Sequence, residues 1–134
     1  MLRRIFTFAM IFILGVSAMS AENKMQTKQG TILHCWCWSF KTIEDNIEKI
    51  SEAGFTAIQT SPANECFVGD NGGHEIMSAK KGKWYYHYQP TDWKIGNYQL
   101  GTRDDFIRMC AKAKKFGIAV IVDVVPNHTT THKD

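Results

Sequence analysis

The sequence has little net charge, no glycine-rich phosphate loop and no C-x-x-C pair of thiols, and each absence closes off a class of function. Lys and Arg number 16 against 13 Asp and Glu, a formal +3. Setting aside the leader described below removes Arg3 and Arg4 and leaves 14 against 13, a net +1. So neutral a chain exerts no pull on nucleic acid or on an anionic membrane, and a neutral partner suits it at least as well. No G-x-G-x-x-G or Walker-type loop follows any predicted strand, which argues against a nucleotide-binding domain. The four cysteines, at 35, 37, 66 and 110, lack a C-x-x-C spacing, so a structural zinc site is not indicated. Cys35 and Cys37 are two apart in an apparent strand, share a face and cannot readily bridge each other. Cys35 and Cys110 read as buried free thiols, whereas Cys66 falls in a loop and is able to pair, with no partner indicated.

What is present begins with a leader. Arg3 and Arg4 precede an apolar run from Ile5 to Val16, and small residues follow at Ser17, Ala18, Ser20 and Ala21. That is the pattern of a secretory signal peptide over residues 1–21, cleaved after Ala18, Ser20 or Ala21. As a membrane anchor the run is too short for a hydrocarbon layer of about 30 Å. The mature chain, residues 22–134, is expected to be exported, extracellular or periplasmic, and free of the membrane.

After a polar lead-in, hydrophobic runs and helical periods alternate. Thr31–Trp38 predicts a first buried strand. A helix follows, with Thr42 and Asp45 as a weak capping box, Phe40, Ile43, Ile47 and Ile50 as its apolar face, and Gly54 as its stop. Phe55–Thr60 predicts a second strand, ended by Ser61-Pro62. A second helix starts at Thr102, with Asp104 and Asp105 in its first turn. It buries Phe106, Met109, Cys110, Ala113 and Phe116, carries Lys112, Lys114 and Lys115 near its end, and stops at Gly117. Ile118–Val122 is apolar and mostly β-branched, as in a strand buried on both faces of a parallel sheet. The order strand, helix, strand, helix, strand calls for parallel strands joined by right-handed crossovers.

Two features exceed a plain βα repeat. Ser61 to Gly101 is a run of 41 residues where two to six would serve. This segment carries Trp84, Tyr85, Tyr86, Tyr88, Trp93 and Tyr98, either a small satellite core or flat rings displayed for stacking on sugars or, less well suited to so neutral and exported a chain, on bases. The third strand also ends in Asp123, Asn127 and His128, at the carboxyl end of the sheet where α/β folds place their ligands.

At this point the residues become specific. D-V-V-P-N-H (Asp123–His128), W-Y-Y-H-Y-Q-P (Trp84–Pro90) and S-P-A-N-E (Ser61–Glu65) together resemble motifs of the α-amylase family, the retaining glucan-active enzymes of glycoside hydrolase family thirteen. The Y-Q-P segment is most similar to that of animal-type and related bacterial α-amylases. The resemblance implies the first β-α-β-α-β portion of a TIM (β/α)8 barrel, with a long aromatic loop after strand two. It implies hydrolysis of α-1,4-glucosidic bonds in starch- or glycogen-type polysaccharide, with retention, by an enzyme that is monomeric when complete. It implies that Tyr88 stacks on the sugar beside the scissile bond and that Trp84, Tyr85 and Gln89 line neighbouring subsites. Tyr85 stands where the family has a second Trp, which changes the size of that platform. His128 is implied as a contact to the sugar's hydroxymethyl group, and Asn127 as a ligand of a structural calcium ion. Asp123 is implied as a supporting carboxylate, not a catalytic one. Each has a plainer reading: a strand-capping His128, a turn-forming Asn127.

Retaining hydrolysis needs two carboxyl groups about 5–5.5 Å apart, and the resemblance puts them after strands four and five. About 113 residues cannot build a barrel of roughly 250. The chain is therefore expected to be the inactive and unstable front portion of an enzyme, with unpaired strand edges. The alternatives are a non-catalytic glucan-binding protein, or a transglycosylase, branching or isomaltase-type activity of the same family. Chloride dependence rests on residues beyond Asp134 and stays open.

Overall fold

The computed structural model describes residues 29–69 and 83–130; residues 1–28, which include the predicted leader, residues 70–82 and the last four residues lie outside these. Strand β1 (Ile32–Cys35) leads into helix α1 (Phe40–Glu52) and strand β2 (Ala57–Thr60). The long connection follows, with a short strand β3 (Asn64–Cys66), a 3-10 turn at Trp84–Tyr88 and strand β4 (Pro90–Ile95). Helix α2 (Arg103–Lys115) and strand β5 (Ala119–Val122) complete the order. β1, β2 and β5 form one parallel sheet with β2 in the centre, and β3 pairs antiparallel with β4. The expected alternation and strand direction hold.

The helices form where the apolar period places them. In α1, Phe40, Ile43, Ile47 and Ile50 are the buried positions, and Ala53 and Gly54 end the helix with Gly54 at φ +87°. Its cap lies upstream of the predicted box. Ser39 is the N-cap and its hydroxyl accepts from the Thr42 N–H at 3.0 Å, while Asp45 pairs instead with Lys41 at 2.9 Å. Burial of Phe40 against Phe106, ring centroids 5.1 Å apart, draws the helix start back to Phe40. α2 has the full reciprocal box: Thr102 accepts from the Asp105 N–H, and the Asp105 carboxylate accepts from the Thr102 N–H at 2.8 Å. Gly117, at φ +71°, ends it.

All three parallel strands are shorter than the apolar runs that predict them. β1 stops at Cys35 because the Trp38 N–H folds back to the Cys35 carbonyl at 3.1 Å, with Cys37 at φ +60°. Before β2, Phe55 still completes the end of α1 through the Ile50 carbonyl. Ile118 likewise bonds back to Ala113 of α2 before β5 begins.

Register decides which face each residue takes. Leu33, Ile58 and Val120 share one row and Cys35, Thr60 and Val122 another, on the face that packs against the helices. Ile32, Ala57 and Ala119, then His34, Gln59 and Ile121, form the rows of the opposite face. Burial on the opposite face is uneven: Ala57 and Ala119 are buried, whereas Ile32 is 53% exposed and Ile121 half-buried. Both helices pack on one side of the sheet, so among the described residues no helix covers the other face and its larger side chains stay partly open. In a closed barrel that is the face turned inward.

Ile32 and Ile121 therefore predict dye binding. The 134-residue chain should bind 8-anilinonaphthalene-1-sulfonate, and the double substitution Ile32→Thr, Ile121→Thr should lower that fluorescence while far-UV helical signal stays. Fluorescence unchanged by the substitutions would contradict the assignment of the open face.

Candidate glucan-binding wall

The long connection places its rings in two populations. Tyr86 is buried and meets Phe67 edge-on at 4.9 Å, a small satellite core over β3. Trp84 and Tyr85, from the same turn, remain 48% and 43% exposed. Both sequence-level readings of these aromatics thus apply, to different rings. A 3-10 turn makes this division, because its repeat of three residues separates neighbouring side chains by about 120°.

Tyr88 fastens the turn to the third parallel strand. Its hydroxyl donates to Asp123 Oδ2 at 2.7 Å, one residue past the end of β5. Burial, and then the bond to Asp123, push the phenol up to about 12, so it stays a protonated donor at neutral pH. The Tyr88 ring lies edge-on to Trp84 at 6.1 Å, and Trp84 meets Tyr85 at the same separation. His128 closes the unit from the other side, with Nε2 3.1 Å from the Tyr88 carbonyl oxygen. A carbonyl only accepts, so Nε2 carries the proton. In the neutral ring Nδ1 is then the acceptor, facing the Asn127 amide nitrogen at 3.5 Å. Next along, the Thr130 N–H donates to the Pro90 carbonyl at 2.7 Å. Trp84, Tyr85, Tyr88, Asp123, Asn127 and His128 are thereby gathered at the carboxyl end of the sheet. Gln89 joins through its backbone, accepting from the Phe67 N–H at 2.9 Å.

The same contacts bear on the implied roles. Both nitrogens of His128 have partners, so a sugar hydroxyl must displace one, and the 3.5 Å contact to Asn127 is the weaker. With its nitrogen toward His128, Asn127 turns its amide oxygen the other way, a suitable donor for a hard cation. Calcium needs six to eight oxygens, and among the described residues no group of three or more His, Cys, Asp or Glu could hold a metal. Asn127 by itself makes no metal site. His128 and His132 stand four apart, a spacing that shares a metal on a helix, but residues 127–130 are not helical and 132 lies outside the described residues. All four thiols are free, and burial raises Cys35 to about 11 and Cys66 to about 12.

Sequence reasoning missed several participants. Trp36 meets Trp84 at 5.4 Å, and its two-residue spacing from His34 was a visible signal that both share a face. Gln99 donates to the Cys37 carbonyl across 62 positions, and nothing local announces that bond. His87, in the same turn, is fully buried, with neither ring nitrogen hydrogen-bonded.

Similarity to known proteins follows the same outline. α-Amylase I from Eisenia fetida superimposes with a TM-score of 0.62 at 24% identity, over 75% of this chain and 18% of that one. The fold is accordingly part of a TIM barrel of the α-amylase kind. The sequence model described as the alpha amylase catalytic domain matches residues 28–134, and the chain belongs to the α-amylase family. It is 55% identical over 117 residues to an α-amylase of Butyrivibrio fibrisolvens and 40% identical over 116 residues to one of Clostridium acetobutylicum. Each alignment covers 84% of this chain but only 12% and 14% of those relatives, so the chain spans about an eighth of their length.

His87 yields a pH prediction. Burial lowers its pKa from 6.5 to about 4. Below pH 6.5 the unfolded chain takes up a proton that the fold resists, so the neutral ring's contribution is complete above 6.5 and is lost as pH falls toward 4. A ¹H–¹⁵N titration should show His87 protonating near pH 4; titration at the ordinary value of about 6.5 would refute its burial.

Proposed function

We propose that this chain forms part of the glucan-holding wall of a secreted α-amylase that hydrolyses α-1,4-glucosidic bonds of starch-like polysaccharides with retention. The observation that carries the reading is the bond from Tyr88 to Asp123, with His128 on the Tyr88 carbonyl. It makes one rigid unit of two segments whose motifs belong to the family's substrate site. In this reading Tyr88 stacks on the sugar beside the scissile bond, and Trp84, Tyr85 and Gln89 hold the units next to it. Asp123 keeps Tyr88 in place, since an aromatic ring binds well only if its orientation is fixed before the sugar arrives. His128 exchanges Asn127 for the sugar's hydroxymethyl oxygen. Calcium, held by the Asn127 amide oxygen with oxygens from outside the described residues, would stiffen the segment after β5.

The chemistry itself requires a nucleophile and an acid about 5–5.5 Å apart. One oxygen of Asp123 is engaged by Tyr88, and the family's pair follows later strands than the three parallel ones described. Hydrolysis is accordingly proposed of a barrel that carries both carboxylates, and export rests on the leader pattern of residues 1–21. Among the described residues no helix is long and apolar enough to cross a membrane.

Two preparations test this: the 134-residue chain, and the full translation product read from its coding sequence. The chain alone should release no reducing ends from soluble starch. The full product should release them, with the α-anomer appearing first by ¹H NMR. In that product Tyr88→Phe should lower kcat/KM by about 10-fold to 100-fold, as for loss of a hydrogen bond to a charged group. A β-anomer, exclusive transfer to sugar acceptors, or hydrolysis by the chain alone would each defeat the reading.

A further inference from the structure

Among the described residues Cys37 alone holds a positive φ without being glycine, at +60°. Strain of that kind persists only where the surroundings over-determine it, and it gathers at functional sites. Here it is held from both sides. The Cys37 N–H donates to Ser61 Oγ at 2.9 Å, and its carbonyl accepts from Gln99 Nε2 at 2.9 Å. Ser61 follows β2 and is itself buried; Gln99 lies in the turn before α2. Two separate parts of the chain thus fix one strained residue at the end of β1.

What that turn delivers is a tryptophan in contact with the wall. Trp36 is 41% exposed, and its ring meets Trp84 at 5.4 Å and 63°. On the strand side His34 lies 6.3 Å away and 21° from parallel to it. The contacts run as a series: Asp123 to Tyr88, Tyr88 to Trp84, Trp84 to Trp36. Neighbouring rings are turned by 84° and then 63°, so no flat platform exists. A β-1,4-glucan is a flat ribbon and needs coplanar rings. An α-1,4-glucan curls, and presents successive sugar faces at changing angles.

We propose that Trp36 is a further sugar platform, taking a glucopyranose unit of the same α-1,4-linked chain one ring beyond Trp84, and so setting a preference for longer glucans. This rests on the function proposed above. Ser61 and Gln99 are positioning residues for it, acting through the backbone of Cys37.

N-Bromosuccinimide oxidation of the full translation product, mapped by peptide mass spectrometry, tests this without a mutation. Maltotriose and maltoheptaose should both protect Trp84, maltoheptaose alone should protect Trp36, and cellohexaose should protect neither. Protection of Trp84 with Trp36 oxidised at an unchanged rate overturns the Trp36 proposal and leaves the proposed function standing. Protection of neither tryptophan by either malto-oligosaccharide overturns both. As a second arm, Trp36→Leu should weaken maltoheptaose binding roughly tenfold, the scale of one stacked ring, with maltotriose binding unchanged and Trp36→Phe restoring most of the loss. Equal loss for both lengths would show a structural role for Trp36 and reject the platform.

Discussion

The hydrogen bond from Tyr88 to Asp123 is the contact on which the site's geometry depends. It joins residues 35 positions apart, one on a loop and one just past a core strand. A loop so long has many conformations available, and closing it carries an entropic cost that grows only slowly with length. A single bond to a carboxylate is worth about 1.5–3 kcal/mol, too little to order the loop by itself. Ordering comes from several such ties at once: His128 to the Tyr88 carbonyl, Thr130 to Pro90, Gln89 to Phe67, and the burial of Tyr86 and Phe67 beneath. The satellite core supplies the apolar burial and the polar ties set the orientation.

The fold was legible where periodicity is local. Apolar spacing marked Ile43, Ile47 and Ile50 in α1 and Met109 and Ala113 in α2, and the glycines at 54 and 117 do end those helices. Element ends were not legible, because tertiary contacts set them. The packing of Phe40 on Phe106 moves a cap to Ser39, and the tethers on Cys37 shorten β1. Ile32 shows the same limit in burial. An apolar strand residue announces that a face is to be covered, not that the covering layer is present.

The site was legible as a set of motifs and illegible as a set of contacts. Trp84, Tyr88, Asp123 and His128 could be singled out because their spacing resembles that of a family. That the Tyr88 hydroxyl points at Asp123 and that both His128 nitrogens are engaged are facts of three-dimensional closure. The division of the ring-rich turn into buried Tyr86 and exposed Trp84 and Tyr85 was equally hidden, since composition is the same for both outcomes.

The proposed glucan wall has a shape that the described residues define. The rings from Tyr88 to Trp84 to Trp36 follow a bent course. Trp36 stands at its far end through the strain at Cys37, which Ser61 and Gln99 sustain from two other segments. A relaxed residue at 37 would need neither tether. Two side chains committed to one unfavourable dihedral make sense if the position of its neighbour matters, and that neighbour is the exposed tryptophan. On the proposed reading the length preference sits at the end of β1, at the opposite end of the ring series from the Tyr88–Asp123 bond.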